Sequence, residues 1–131
     1  MSERTYEYNA KETRTALREA LHILVSGESS GERAIVHPNY KENDKKIRER
    51  LDSFEDEKIK DIIENVYPAF SDFERRAVNA VYHITPGRQR YSMMDLPIGV
   101  MGASVTLARG LRYAQTVGRL DNLLDIDSLS K

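Results

Sequence analysis

The 131-residue sequence is 40% hydrophobic and 31% charged, a composition that predicts one soluble globular domain over residues 1–131. Cysteine is absent, so disulfides, thiolate catalysis and zinc–cysteine sites are excluded. The net charge of −1 gives no strong attraction to nucleic acid or membranes. The sequence also has neither a signal-peptide core nor an apolar run of roughly 20 residues, so we expect a cytoplasmic protein without a membrane partner.

The first predicted helix follows Asn9, a residue type that caps helix N-termini, with Glu12 placed to complete a capping box. Gly27 is expected to end this helix, because glycine takes a positive φ without steric cost. Between these two signals, apolar residues at helical spacing form one stripe: Leu17, Ala20, Leu21 and Leu24.

Residues 26–40 predict a flexible loop. Glycine and serine are frequent here, and the His37-Pro38 step favours an extended backbone at His37. The apolar run from Ala34 to Val36 is too short to predict a strand. A loop of this length in a small domain is either mobile or part of a binding surface.

Helical spacing of apolar residues returns at Asn43 and continues to Val66. Ser53 with Asp56 has the pattern of a fresh N-cap, so the segment is either one long helix or two helices with a bend. Tyr67-Pro68 is expected to end it, because proline disfavours helix at the preceding residue.

Ser71 and Glu74 form a capping box of the S-x-x-E type and predict another helix start. This helix is expected to end at Thr85-Pro86-Gly87. Its predicted core positions are Phe73, Ala77, Ala80, Val81 and Ile84.

Asp95 is expected to cap the final long helix, in whose first turn Pro97 is tolerated. Gly118 follows at the position of a left-handed C-cap. The predicted inward stripe is Val100, Ala103, Leu107, Leu111, Ala114 and Val117, followed by a second apolar group, Leu120, Leu123 and Leu124. No segment shows convincing strand alternation, so we predict an all-α, compact bundle of five or six helices.

Two segments of the second half, IKDIIENVYPAFSDFERRAVNAVYHI and LARGLRYAQTVGRLDNLLDI, occur together in an order that resembles the bacterial effector-associated domains, type 1. The resemblance covers about residues 59–126. It implies a death-fold-like helical adaptor that couples NTPase-type sensors to effector proteins by like-with-like association in bacterial defence. The residues that carry it are Pro68, Phe70, Phe73, Ala114, Gly118, Arg119, Leu120, Leu123 and Leu124.

Between residues 71 and 119 the sequence has seven arginines against three acidic residues. Arg109 and Arg112 are three positions apart, so they share a helix face. As partner-binding residues we predict a positive set, Arg75, Arg76, Arg88, Arg90, Arg109, Arg112 and Arg119, and a negative set, Asp121 and Asp125, with Asp127 in the same acidic stretch.

Three interpretations of these arginines stay open. They are scattered solvated side chains, or they bind an effector or sensor protein or a second copy, or they follow a nucleic-acid backbone. The last would make the protein a small helical subunit of a nucleoprotein complex of the CRISPR type. We favour a protein partner, because the total charge is close to zero.

The sequence shows no catalytic or metal-binding pattern, so we expect a non-enzymatic protein without a cofactor. His22, His37 and His83 are far apart and lack ligand spacing, and His22, beside a core stripe, is expected to be a packing residue. Gly99-x-x-Gly102-x-Ser104 lacks the lysine and the preceding strand of a phosphate loop. Ser104 is in no G-x-S-x-G elbow, and no histidine–carboxylate pair is legible beside it.

Overall fold

The computed structural model describes residues 5–6, 10–72, 74–75, 78, 88–89, 100–121 and 123–130. The fold is all-α, as predicted. Five helices lie in the described part of the chain: α1 (Ala10–Ser26), α2 (Gly31–Ile35), α3 (Tyr40–Asp52), α4 (Asp56–Val66) and α5 (Val100–Thr116). Short 3-10 helices follow at Tyr67–Ala69 and Asp127–Ser130, and one two-residue antiparallel ladder joins β1 (Thr5–Tyr6) to β2 (Arg88–Gln89).

Helix α1 is the central element, because it packs against α5 and α3 most extensively and also contacts α2 and α4. Its predicted stripe is buried except for Leu24, which is partly buried. The side of α1 facing the other helices is wider than the stripe, since Thr13, His22 and Ile23 are buried as well. At its C-terminus Gly27 has a φ of +73°, which confirms the predicted stop.

Residues 26–40 contain a helix, so the prediction of a continuous loop is wrong for Gly31–Ile35. The Oγ of Ser30 accepts a hydrogen bond from the backbone N of Arg33 at 3.4 Å and caps the helix. Ala34 is 1% exposed and fixes this single turn against the core. One capping serine and one buried alanine are enough here, because packing supplies most of the stability of a short helix.

The segment 43–66 forms two helices rather than one. The predicted Ser53 cap is wrong, because its Oγ donates to the carbonyl of Arg50 at 2.6 Å and so closes α3. Glu55 occupies the N-cap position of α4 with an extended backbone and no side-chain cap bond. The predicted stop at Tyr67-Pro68 is confirmed by the change from α-helix to 3-10 helix.

The capping box at Ser71 is confirmed. The backbone N of Ser71 donates to Glu74 Oε1 at 2.9 Å, and the backbone N of Glu74 donates to Ser71 Oγ at 3.2 Å. Residues 72, 74, 75 and 78 are helical, and Val78 is fully buried. The other predictions for residues 73–97, including the stripe of that helix and the Asp95 cap, lie outside the described residues, as does the Asn9 cap.

Helix α5 ends in a Schellman motif. Gly118 has a φ of +81°, its N donates to the carbonyl of Gln115 at 3.1 Å, and Arg119 N donates to the carbonyl of Ala114 at 2.8 Å. The C-terminal stretch then packs on the core through Leu120, Leu124, Ile126 and Leu129. The predicted inward position of Val117 is wrong, since this side chain is 48% exposed where the helix gives way to the cap.

The inner side of α5 approaches the end of α4 very closely at Gly110. A Cβ placed on Gly110 would lie 2.7 Å from Cζ of Phe70 and 3.0 Å from Cγ1 of Val66. Glycine is therefore required here for the contact between the two helices. No helix in the described ranges combines the length and apolar character of a membrane span.

Candidate functional site

Three cationic or polar donors converge on Asp44, near the start of α3. Arg18 Nε and His22 Nε2, one turn apart on α1, both lie 2.8 Å from Asp44 Oδ1. Arg48 Nε lies 2.7 Å from Asp44 Oδ2 across one turn of α3. The Asp44 side chain is only 18% exposed, so these contacts form in a partly desolvated setting between α1 and α3.

The balance of burial and donors decides the charge of Asp44. Burial alone would raise its pKa, but the hydrogen bonds from His22, Arg18 and Arg48 outweigh burial and lower the pKa to about 2. For Arg18, burial opposes the charged form, while the hydrogen bond and the charge of Asp44 more than compensate and raise its pKa. The carboxylate is therefore ionised at neutral pH.

The ionised carboxylate fixes the tautomer of His22. A carboxylate only accepts hydrogen bonds, so Nε2 of His22 carries the proton shared with Asp44. In the neutral ring, Nδ1 then bears a lone pair, and this buried atom has no hydrogen-bond partner. The imidazole is further held by Tyr40, whose ring stacks on it at 4.6 Å between centroids and 19° between planes.

A cavity of about 370 Å³ adjoins this cluster. Arg18, Glu19 and His22 of α1 line it on one side, and Gly31, Ile35, Tyr40 and Ser104 complete the wall from α2, α3 and α5. Its volume is within the range of small-molecule sites. The sequence shows no histidine–carboxylate pair beside Ser104, but in the fold Ser104 and His22, whose Nε2 contacts Asp44, line the same cavity.

This arrangement is not a catalytic triad. The free Nδ1 of His22 receives no hydrogen bond from Ser104, so the serine is not activated by the histidine. His22 is buried, as expected for a packing residue, but it also holds Asp44. Sequence reasoning missed Asp44 because its three donors come from two helices, and only the i, i+4 spacing of Arg18 with His22 and of Asp44 with Arg48 hinted at it.

The predicted partner-binding arginines have different environments. Arg75 Nε and Nη2 donate to the carbonyl of Tyr67 at 3.3 and 3.1 Å, so Arg75 closes the preceding turn. Arg88 contributes its backbone to β2, and its side chain lies outside the described residues, as do Arg76 and Arg90. Arg119 is exposed, and the Schellman motif uses its backbone N.

The acidic C-terminal stretch is bound largely within the chain. Asp127 accepts hydrogen bonds from Arg112 Nη1 at 3.2 Å and from Gln115 Nε2 at 2.8 Å. Asp125 Oδ1 accepts from the backbone N of Ser128 at 3.3 Å, whereas Asp121 is exposed beside Gly118. Arg112 therefore has an acidic partner in its own chain.

The outward side of α5 and the residue that follows its C-terminus present a row that we call the α5 face: Arg109, Tyr113 and Val117, spaced at i, i+4 and i+8. All three are exposed, Tyr113 by 53%. Sequence reasoning placed Arg109 on a surface, but it counted Val117 as core and gave Tyr113 no contact role.

Helix α4 presents a contrasting row that we call the acidic row: Glu57, Asp61 and Glu64, all exposed at i, i+4 and i+7. Lys60 Nζ lies 4.0 Å from Glu64 Oε1, so that end of the row is partly neutralised. The other two carboxylates give the helix a negative outward surface.

Five of the residues that carry the resemblance to effector-associated domains lie in the core or at a helix end. Phe70, Ala114, Leu120 and Leu124 are buried, and Gly118 forms the C-cap of α5. No protein-family model, curated protein or solved structure is significantly similar to this chain. Within the described residues no group of three or more histidines or carboxylates has the arrangement of a metal site.

Proposed function

We propose that this protein is a non-enzymatic helical interaction module, an adaptor of the effector-associated kind in a bacterial defence or signalling system. The observation that carries the proposal is the α5 face. Its arginine and tyrosine lie on the well-packed α5, its valine directly follows the last residue of that helix, and all three remain exposed to solvent. The resemblance over residues 59–126 supports the class of adaptor.

The composition of the α5 face suits a protein interface. Tyrosine and arginine are enriched among the residues that dominate binding energy, and tyrosine brings a large area with little rotamer entropy. The inner side of α5 is fixed by Leu107, Leu111 and Ala114, so the outer side needs no rearrangement on binding. Binding through a rigid exposed face therefore costs little conformational entropy.

The acidic row of a second copy is the counterpart that we propose for this face. The C-terminal carboxylates, expected from the sequence as the negative surface, are partly occupied by Arg112, Gln115 and Ser128 of the same chain. Glu57 and Asp61 form no ion pair within the described residues. Two reciprocal contacts of this kind close a dimer, whereas a single contact leaves one face of each kind unoccupied and extends into rings or open filaments.

The same contacts favour a protein partner over a nucleic-acid backbone. Phosphate binding relies on several free cationic groups, but Arg75 closes a turn and Arg112 is paired with Asp127. The free cation of the α5 face stands beside an exposed tyrosine and valine, which suits an interface with an apolar centre.

Sedimentation velocity over a range of protein concentrations tests the proposal. The wild-type protein is expected to associate as concentration rises, and Arg109→Glu to weaken association at least about tenfold, since like charges then face each other. Asp61→Arg should have the same effect. A mixture of the two variants should regain association, because each supplies the intact face that the other lacks.

Arg33→Glu is the matched control, because Arg33 is exposed on α2 and contributes to neither face. It should associate as the wild type does. A wild-type protein that stays monomeric at all concentrations contradicts the homotypic form of the proposal. A steep log–log dependence of binding on salt in a filter assay with single- or double-stranded nucleic acid would favour the nucleoprotein alternative.

A further inference from the structure

The α5 face and the acidic row each have a chemical direction along their helices. From its N-terminal to its C-terminal end, the α5 face runs from the cation of Arg109 through Tyr113 to Val117. The acidic row is followed, one further turn along the chain, by Pro68, which is exposed in the 3-10 helix after α4. Each surface therefore has a charged N-terminal part and an apolar C-terminal end.

The two surfaces match when the helices that carry them run parallel. In that orientation Arg109 of one copy meets the carboxylates of the other, and Val117 meets Pro68. In the antiparallel orientation Val117 would lie against the start of α4, where three exposed carboxylates follow one another at residues 55–57. An apolar contact there would remove carboxylates from water without giving them a partner, which is costly.

Spacing along the two surfaces selects the carboxylate that Arg109 contacts. Val117 N donates to the Tyr113 carbonyl at 3.0 Å, so the helical path continues to Val117. Eight steps from Arg109 to Val117 span about 12 Å at the α-helical rise of about 1.5 Å per residue. On the partner, five α-helical steps and two 3-10 steps of about 2 Å each separate Asp61 from Pro68, also about 12 Å.

The other two carboxylates of the acidic row fit less well. The path from Glu57 to Pro68 is about 17 Å long, so contact of Arg109 with Glu57 would leave Val117 about 5 Å short of the proline. Glu64 already has Lys60 Nζ at 4.0 Å from its Oε1. Asp61 has no cation beside it in the described ranges, and its hydrogen bond with Asn65 uses the backbone carbonyl.

We infer one register for the contact between two copies: α5 of one copy runs parallel to α4 of the other, and Arg109 pairs with Asp61. Val117 then packs on Pro68. The register rests on the proposed association of the α5 face with the acidic row. It adds the proline as a contact residue and assigns one carboxylate of the row to the arginine.

Disulfide cross-linking tests the register, because the chain has no cysteine of its own. Val117→Cys is mixed with isotope-labelled Pro68→Cys, and mass spectrometry of the oxidised sample quantifies the mixed dimer. Asn65→Cys instead of Pro68→Cys reports contact of Arg109 with Glu57, and Glu57→Cys reports the antiparallel orientation. A disulfide needs Cα atoms about 4.4–6.8 Å apart, so the Pro68→Cys pair should give at least about tenfold more mixed dimer than either alternative.

Charge reversal tests the same register without cysteines. In sedimentation velocity, Arg109→Glu mixed with Asp61→Arg should regain association, whereas Arg109→Glu mixed with Glu57→Arg should not. Glu57→Arg alone should weaken association less than Asp61→Arg does, because its carboxylate is not the partner of the arginine. Circular dichroism verifies that each variant is folded, and the charge reversals decide the register if Pro68→Cys fails to fold.

Three results overturn the register while association through the α5 face remains. The first is a mixed disulfide that forms preferentially with Asn65→Cys or Glu57→Cys. The second is the absence of a mixed disulfide from all three pairs of folded, associating variants. The third is equal rescue of Arg109→Glu by Asp61→Arg and Glu57→Arg. A wild-type protein that stays monomeric at every concentration overturns the register together with homotypic association, so the two failures are distinguishable.

Discussion

The Asp44 cluster and the α5 face both contain arginines, but the two regions use them in opposite ways. Around Asp44 two guanidiniums and an imidazole surround one carboxylate that is 18% exposed. On the α5 face Arg109 stands in solvent beside Tyr113 and Val117. The comparison shows that the role of a charged residue is set by which helices bring a partner to it. The excess of arginines over acidic residues between residues 71 and 119 does not locate the desolvated cluster.

The largest expected effect is from Asp44→Ala. It would leave the partly buried Arg18 and the buried His22 without their acceptor, and we expect a loss of about 3 kcal/mol in the free energy of unfolding. Urea denaturation followed by circular dichroism measures it. Asp61→Ala, which removes an exposed carboxylate of α4, serves as control and should change stability by less than about 0.5 kcal/mol. Equal stability of both variants would show that Asp44 contributes no more to the fold than an exposed carboxylate does.

Gly110→Ala changes the inner side of α5, and its stability is compared with that of a substitution on the outer face. The added methyl group would meet the Phe70 ring and Val66, so we expect a loss of about 2 kcal/mol as the contact opens. Arg109→Ala, one residue earlier but outward, is the matched control. Thermal unfolding of the two variants measures the difference, and an unchanged melting temperature for Gly110→Ala would show that the contact relaxes freely.

Acid is expected to weaken the Asp44 cluster selectively. The folded state lowers the pKa of Asp44 from 3.8 to about 2, so the protein gains stability above the unfolded value and loses it as pH falls from about 4 to about 2. The shift corresponds to about 2 kcal/mol. Urea midpoints of wild type and Asp44→Asn across this range should converge at low pH. Parallel curves would assign the acid dependence to other carboxylates.

The smallest expected effect on stability comes from the α5 face itself. Tyr113→Ala combined with Val117→Ser removes exposed side chains, so the free energy of unfolding should change by less than about 1 kcal/mol. Sedimentation of the same variant should nevertheless show reduced association. A large loss of stability would mean that the face is part of the fold, and an unchanged sedimentation profile would remove it from the interface.

Local signals in the sequence predicted most of the helical architecture. Apolar spacing predicted the inward sides of α1, α3, α4 and α5. Gly27 and Gly118, which both have a positive φ, were correctly predicted to end α1 and α5. The capping box at Ser71 was also correct. These features depend on residues within one or two turns of each other, so a short stretch of sequence is enough to predict them.

The errors arose where a local pattern was outweighed by packing or capping. Helix α2 depends on Ala34 meeting the core, which no motif within residues 26–40 reveals. Ser53 had a good partner upstream in the Arg50 carbonyl and so closed one helix instead of starting the next. The Asp44 cluster joins residues that are separated by 22 and 26 positions in the sequence. The adjoining cavity is in addition lined by a residue of α5. Such long-range proximity cannot be derived from periodicity alone.

The central place of α1 affects how the chain folds as it is synthesised. Its widest contact is with α5, yet α5 begins more than seventy residues after α1 ends. At translation rates of about 5–20 residues per second, the apolar stripe of α1 remains uncovered by its final neighbour for several seconds after it emerges from the ribosome. During that interval the nascent chain exposes an apolar surface to which chaperones can bind. Codon changes that slow translation between α1 and α5 should lengthen this interval and increase aggregation.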